Sequence, residues 1–290
     1  MEGWYLIPPV QQFALAGMHR LISSKYSQSG TVLEDVATTA DDMATATALD
    51  AATNERVLGE TRGLAGISQF ELVYGIPNAH IIRAAFLHPN KAGGSRFNDT
   101  TRGAWYAAEE VKTCIAEVSY HRAKRLSDII DPEEPDQMPQ SDTATYDDWQ
   151  ADFHAGFHVL EPPSNYPECL VPEPVPECYQ SSQALARLLL SQKSNGIVYP
   201  SVRQKDSRCL ACFRPALVYH PRREKRYELH LTRKMGKLET HVSVRDPEDD
   251  DFREAPAFHR PALSKPSKRR AKPASAKPRA PTTLTPVLPD

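Results

Sequence analysis

Apolar positions along this chain fall into recurring runs with different periods. Between residues 33 and 57, Leu33, Val36, Ala37, Ala40, Met43, Ala44 and Ala48 recur at three- and four-residue steps, which predicts an amphipathic helix. The run AHIIRAAFLH at 79–88 is short, apolar and rich in branched residues, and predicts a buried strand. Gly93 and Gly94 open a turn after it, and GAWYAA at 103–108 predicts a second strand. EEVKTCIAEVSYHRAKRL, from Glu109, predicts a helix with Val111, Ile115 and Val118 on one face and Glu109 and Glu110 at its dipole-favoured start. SSQALARLLLSQK at 181–193 predicts a further helix that stops at Gly196. IVYPS then forms a strand ending at Pro200 and Ser201. RPALVYH at 214–220 and RYELHLTR at 226–233 close the sheet, the second with Tyr227, Leu229 and Leu231 alternating.

Two stretches lack such periods. Residues 127–178 are rich in Pro and acid, and from Leu126 to Ala186 there is no Lys or Arg; this reads as an insertion or long loop on the core. The end of the chain is the opposite: residues 253–290 hold nine Lys or Arg against Glu254 and Asp290, which hides a charge division behind the net charge of −2. Its Pro-rich, non-periodic composition cannot offset its ordering entropy, so it reads as a disordered basic tail. The expected organisation is a single domain over 1–252 with the acidic insertion at 127–178, followed by the tail at 253–290. No internal repeat is present.

At 290 residues and 40% hydrophobic content, the chain is long enough to bury a sizeable core. It contains no apolar stretch of membrane-spanning length, and MEGWYLIPPV lacks the features of a signal peptide, so a soluble, cytoplasmic protein is expected. Five Cys at irregular positions argue against a disulfide framework. Cys209 and Cys212 form a CxxC that suggests a metal or redox pair, but no second CxxC or nearby HxxxH completes a site, and structural thiols are the favoured reading. Neither common type of glycine-rich phosphate loop occurs, which argues against a kinase or a Rossmann enzyme.

The densest chemistry lies in GGSRFNDTTRGAWYAAEEVKTCIAEVSYHR, which places Arg96, Tyr106 and Glu117 in one run. Arg offers a permanently charged fork for phosphate. Tyr offers a flat surface for stacking, and Glu a carboxylate able to stabilise a developing cation. On the expected helix, Glu117 neighbours Thr113, Cys114, Tyr120 and His121, and so flanks the apolar stripe at the edge of a cleft. Taken alone, each of the three has a bland reading as a loop cation, a core aromatic or a surface acid. Arg102 and His121 keep that reading, as a loop cation and a helix-end base.

The GSRFN, WYAA and AEV stretches resemble the RES domain family, named for its Arg, Glu and Ser. The resemblance covers roughly residues 17–235. It implies an α+β, ADP-ribosyltransferase-like fold of mixed central β-sheets flanked by helices. It further implies an NAD-degrading toxin of a bacterial toxin–antitoxin pair, with Arg96, Tyr106 and Glu117 serving the NAD site. Ser201 in YPSVR matches the family's Ser, with Ser207 in VRQKDSRC as a second candidate, and Arg20 in MHRLIS matches an upstream Arg. The implied reaction cleaves the nicotinamide–ribose bond and transfers ADP-ribose to inorganic phosphate or water, with NAD as substrate, phosphate as co-substrate and no tightly bound cofactor. The implied partner is an Xre-like helix-turn-helix antitoxin, through which nucleic acid is contacted only indirectly. Homo-oligomer formation stays open. The alternatives are transfer of ADP-ribose to a protein, and a non-catalytic protein whose tail binds nucleic acid non-specifically.

Overall fold

Two long strands form the frame of the molecule in the computed structural model, which describes residues 7–27, 66–128, 141–161, 166–234, 237–246 and 253–254. The predicted helix at 33–57 and the tail beyond Glu254 lie outside these residues. Strand β1 (Val10–Ser23) runs antiparallel to β3 (Ser141–Val159), from Val10↔His158 to Ser23↔Tyr146. On its other edge β1 meets β2 (Trp105–Ala108) at His19↔Ala108. β2 pairs with β5 (Arg208–Cys212), and β5 with β4 (Gly196–Pro200). β4 then runs parallel to the end of β3 at His158↔Ile197 and Val159↔Val198. The strands β1–β2–β5–β4–β3 therefore close on themselves. The first half of β3 also carries β6 (Tyr219–Lys234), followed by β7 (Lys237–Arg245) and β8 (Arg253–Glu254). Among the described residues the result is a mixed, eight-stranded sheet in an α+β fold.

β3 corrects the expectation of an insertion at 127–178. From Trp149 to Val159 the chain alternates strictly, and Trp149, Ala151, Phe153, Phe157 and Val159 are buried. Within β3, Asp142 and Asp147, two of the acids that suggested a solvated loop, are neutralised by cations from other elements. Arg226 of β6 donates from Nε and Nη2 to the fully buried carboxylate of Asp147, at 2.6 and 2.9 Å. Burial alone would raise the Asp147 pKa, but the Arg226 hydrogen bonds outweigh it and hold the carboxyl below its ordinary value. Arg122 grips Asp142 in the same forked way, at 2.7 and 2.6 Å.

Residues 79–88 also differ from expectation. Ala79–Leu87 is a helix, α1, with Ala79, Ile81, Ile82, Phe86 and Leu87 buried. A short helix covered on most sides shows only a narrow polar stripe, here His80 and Arg83, so its sequence mimics a buried strand. Gly103 lets β2 enter directly beneath it: a Cβ there would overlap the Ala85 carbonyl oxygen, and the Gly103 N–H donates to Phe86 O at 2.9 Å. The helices α2 (Val111–Asp128) and α3 (Gln180–Ser191) form where the periodicity places them. The stretch 214–220 is not a strand throughout; Pro215–Leu217 is a 3-10 turn, and β6 begins at Tyr219.

The helices cover separate apolar clusters. α1 packs with Trp105, Phe153, Val198 and Leu210, whereas α3 packs through Leu185 and Leu189 with Phe97, Ile197, Tyr199 and Ala211 on the opposite face of β4 and β5. α2 sets Ile115 and Leu126 against Tyr146, Tyr227, Leu229 and Leu231. This leaves one face of α2 beside the open end of β2, where the site forms. Among the described residues, no helix is long and apolar enough to cross a membrane.

Candidate functional site

Arg20, Arg96, Tyr106 and Glu117 all line one cavity of about 250 Å³. α2 contributes Cys114, Glu117, Val118 and His121, whose spacing of three, four and seven residues puts them on a single helical face. Tyr199 and Cys209, cross-strand partners on β4 and β5, form part of the opposite wall.

The loop carrying Arg96 is tied at several points. Gly94 adopts φ +76°, and a Cβ there would collide with the Asn98 carbonyl oxygen, so the turn requires glycine. Ser95 and Asn98 bridge each other across the turn. Gln183 of α3 donates to Gly93 O at 2.8 Å and Ser95 O at 3.0 Å. The Tyr106 hydroxyl accepts from the Phe97 N–H and donates to Asn98 Oδ1, both at 2.8 Å. That hydroxyl is thus a structural fastening for the Arg96 loop, while the ring lines the cavity. Burial, the largest influence, pushes the Tyr106 phenol well above its ordinary value. Tyr106→Phe strands a buried amide and is expected to lower stability by about 1–3 kcal/mol. Urea unfolding checks this; an unchanged stability contradicts the role given to the hydroxyl.

Arg96 is nearly buried and donates from Nη1 to the carbonyls of Cys169 (3.0 Å) and Val171 (2.9 Å), with its guanidinium 5.2 Å from the centre of the Tyr179 ring. Arg20 lies 5.0 Å from the centre of the Trp105 ring and donates to Tyr106 O at 3.2 Å. Burial lowers its pKa to about 10, which still leaves it cationic at neutral pH.

The Glu117 carboxylate is clamped on both oxygens. Ser201 Oγ donates to Oε1 at 3.2 Å, and Arg203 Nη1 lies 3.1 Å from Oε2. Ser201 Oγ in turn accepts from the N–H groups of Arg203 (3.2 Å) and Gln204 (3.0 Å), so it organises the turn after β4 as well as the carboxylate. Ser207 is placed differently: its hydroxyl pairs with Thr113 Oγ1 at 2.5 Å and its carbonyl accepts from the Ser201 N–H. Of the two candidate serines, Ser201 is the one that reaches Glu117.

Arg203, Tyr179 and Tyr199 were not singled out by the sequence, and His121 reads there as a helix-end base, yet all four line the cavity. Arg203 sits 3.7 Å from the centre of the Tyr120 ring. It also lies two residues beyond Ser201, a position from which YPSVR could have revealed it. With Arg20, Arg96 and Arg203 against one Glu, the cavity favours anions. The imidazole of His121, at the rim of the cavity, responds to the same field: loss of solvent around the ring, then the charges of Arg203, Arg96 and Lys124, push its pKa down to about 4. Arg203→Gln removes one of those charges and is expected to move the His121 pKa part of the way back towards its ordinary value. A proton NMR titration of the ring reads this; an unchanged pKa contradicts the electrostatic account.

Arg102 is a buried tie rather than a solvated loop cation, donating to Gly66 O (2.9 Å), Phe213 O (2.5 Å) and Glu71. Cys209 and Cys212 belong to different apolar clusters, as a three-residue step along a strand requires, and burial pushes both thiols up to about 12. Among the described residues, no group of three or more His, Cys, Asp or Glu is placed to hold a metal ion.

No curated protein matches the chain. The crystal structure of the M. tuberculosis MbcT–MbcA toxin–antitoxin complex includes a similar chain at 13% identity, covering 54% of this chain and 74% of that one with a TM-score of 0.32. The model of the RES domain matches residues 72–232, more than half of the 290-residue chain, from just before α1 to near the end of β6, and takes in Arg96, Tyr106, Glu117 and Ser201. The chain belongs to the RES domain family.

Proposed function

We propose that the cavity binds NAD and cleaves its nicotinamide–ribose bond, passing ADP-ribose to inorganic phosphate, on a sheet arrangement of the ADP-ribosyltransferase-like kind. The observation that carries this reading is the Glu117 carboxylate, held by Ser201 and Arg203 in a cavity otherwise lined with arginine and tyrosine. Breaking the bond builds positive charge on the ribose C1′ and O4′, the same problem that glycoside hydrolysis meets with carboxylates. Glu117 faces that charge. The electron pair of the C1′–N bond returns to the pyridinium nitrogen, so nicotinamide leaves neutral and needs no proton. A site without a proton donor poised near neutrality is suited to that step. His121 stays unprotonated down to about pH 4, and Tyr106 keeps its proton.

Arg96 and Arg20 hold the dinucleotide's phosphates, and the Tyr106 ring supports the nicotinamide. Ser201 keeps Glu117 oriented. Family membership supports reading the protein as a toxin that depletes NAD and is neutralised by an Xre-like antitoxin. Inducing the protein in a bacterium is expected to lower cellular NAD and arrest growth, and Glu117→Ala or Arg96→Ala to relieve both. Full toxicity from either folded variant overturns the site assignment. Incubation with biotinylated NAD is expected to leave label in small molecules alone; label on protein would move the reading to transfer onto a macromolecule.

A further inference from the structure

Three arginines of the cavity, Arg20, Arg96 and Arg203, hold buried donors without a hydrogen bond, and two of them, Arg96 and Arg203, are tied to one backbone stretch. Arg96 Nη2 is buried without a hydrogen-bond partner, while its Nη1 is engaged by Cys169 O and Val171 O. Arg203, whose side chain is 8% exposed, has both Nε and Nη1 buried without a hydrogen bond. Its Nη1 stands close to Glu117 Oε2, but at an angle that makes an ion pair only. Arg203 Nη2 reaches Pro172 O at 3.4 Å. The backbone carbonyls of one short stretch, Cys169–Pro172, thus hold both guanidinium groups. Tyr179 and Tyr120 supply ring faces to Arg96 and Arg203 respectively. Buried charged donors left unpaired are costly, and they persist where a ligand completes them. Two fixed guanidinium forks beside one another match a tetrahedral oxyanion.

We propose that Arg203, with Arg96, forms an oxyanion subsite beside Glu117 that takes the acceptor phosphate, making Arg203 a residue that selects phosphate over water. The proposal rests on the NAD-cleaving reading above. A phosphate dianion bound there replaces the Glu117 contact of Arg203, and frees the carboxylate to face the ribose. One phosphate oxygen forms the new bond to C1′ as the C1′–N pair departs to nicotinamide. The monohydrogen phosphate keeps its own proton, so ADP-ribose 1″-phosphate and neutral nicotinamide form with no further reactant. The same oxyanion chemistry could come from the pyrophosphate of NAD, and the kinetics separate these sources.

The experiment measures nicotinamide release by the full chain while phosphate and NAD are varied independently, in wild type, Arg203→Gln and Arg203→Lys. Both variants are expected to raise the KM for phosphate at least about ten-fold while moving the KM for NAD far less, and to shift products from ADP-ribose 1″-phosphate towards ADP-ribose. Calorimetry with inorganic phosphate alone provides a readout without turnover: wild type binds, and the folded variants bind at least about ten-fold more weakly. A raised KM for NAD with an unchanged KM for phosphate assigns Arg203 to the dinucleotide and overturns the proposal, as does unchanged phosphate binding. If Arg203→Gln does not fold, Arg203→Lys, which keeps the charge but not the fork, carries the test. Wild type that turns over NAD with variants of unaltered phosphate dependence refutes this subsite alone; wild type that leaves NAD intact refutes the underlying reading.

Discussion

Glu117→Gln is expected to slow nicotinamide release from NAD about 10²–10³-fold, mostly in kcat, while the protein stays folded. The amide preserves the shape of the side chain and an oxygen able to accept from Ser201 Oγ, so the α2 face that lines the cavity has no reason to move. Only the charge is lost. In the ground state that charge is answered by Arg203, and in the transition state by the ribosyl cation, so its removal acts on the chemical step more than on NAD binding. Circular dichroism and thermal unfolding establish that the variant is folded, and steady-state nicotinamide release gives the rate. A folded variant within about three-fold of wild type is incompatible with a carboxylate that stabilises developing charge in this cavity.

Arg96→Ala is expected to produce a second large loss, of a different kind. The substitution removes a buried cation from the cavity and leaves the carbonyls of Cys169 and Val171 without their donor, at a cost of about 1–3 kcal/mol for each group that water cannot reach. It also withdraws the cation that faces Tyr179. The predicted outcome is a fall in kcat/KM of at least about 10²-fold together with lower stability, since one side chain both binds and anchors. Arg96→Lys separates these effects. An ammonium keeps the charge but cannot reach two carbonyls and still present a planar donor pair, so lysine should recover little of the activity. Kinetics and urea unfolding on both variants provide the check; near-complete rescue by lysine contradicts the forked role.

Much of the frame around the site was legible because it depends on local pattern. The helix bearing Glu117 shows its apolar stripe and acidic start, and WYAA reads as a strand. Elements whose stability comes from remote partners were not legible. The acids of Ser141–Val159 looked like a solvated insertion because the cations that neutralise them, Arg122 and Arg226, stand on α2 and β6. The period-two run from Trp149 to Val159 was there to be read beneath them. The sequence of α1 reads as a strand because burial on most sides leaves only His80 and Arg83 to mark a polar stripe.

The site divides in the same way. Arg96, Tyr106 and Glu117 lie within one run whose spacing can be inspected, whereas Arg203, Tyr179 and Tyr199 enter the cavity from segments far along the chain. The acidic stretch between Glu117 and Ser201 supplies β3, whose parallel pairing with β4 helps place the strand that ends beside Ser201. Tyr106 shows a further limit. Residue type suggested a stacking platform, and only the fold reveals that its hydroxyl fastens the Arg96 loop.

The central claim is that this cavity breaks the glycosidic bond of NAD. A proton and phosphorus NMR time course of the purified, folded full chain with NAD and inorganic phosphate tests it most directly. The account predicts loss of the nicotinamide-ribose anomeric signal with matching appearance of free nicotinamide and ADP-ribose 1″-phosphate. NAD that remains intact, with and without phosphate, would contradict it.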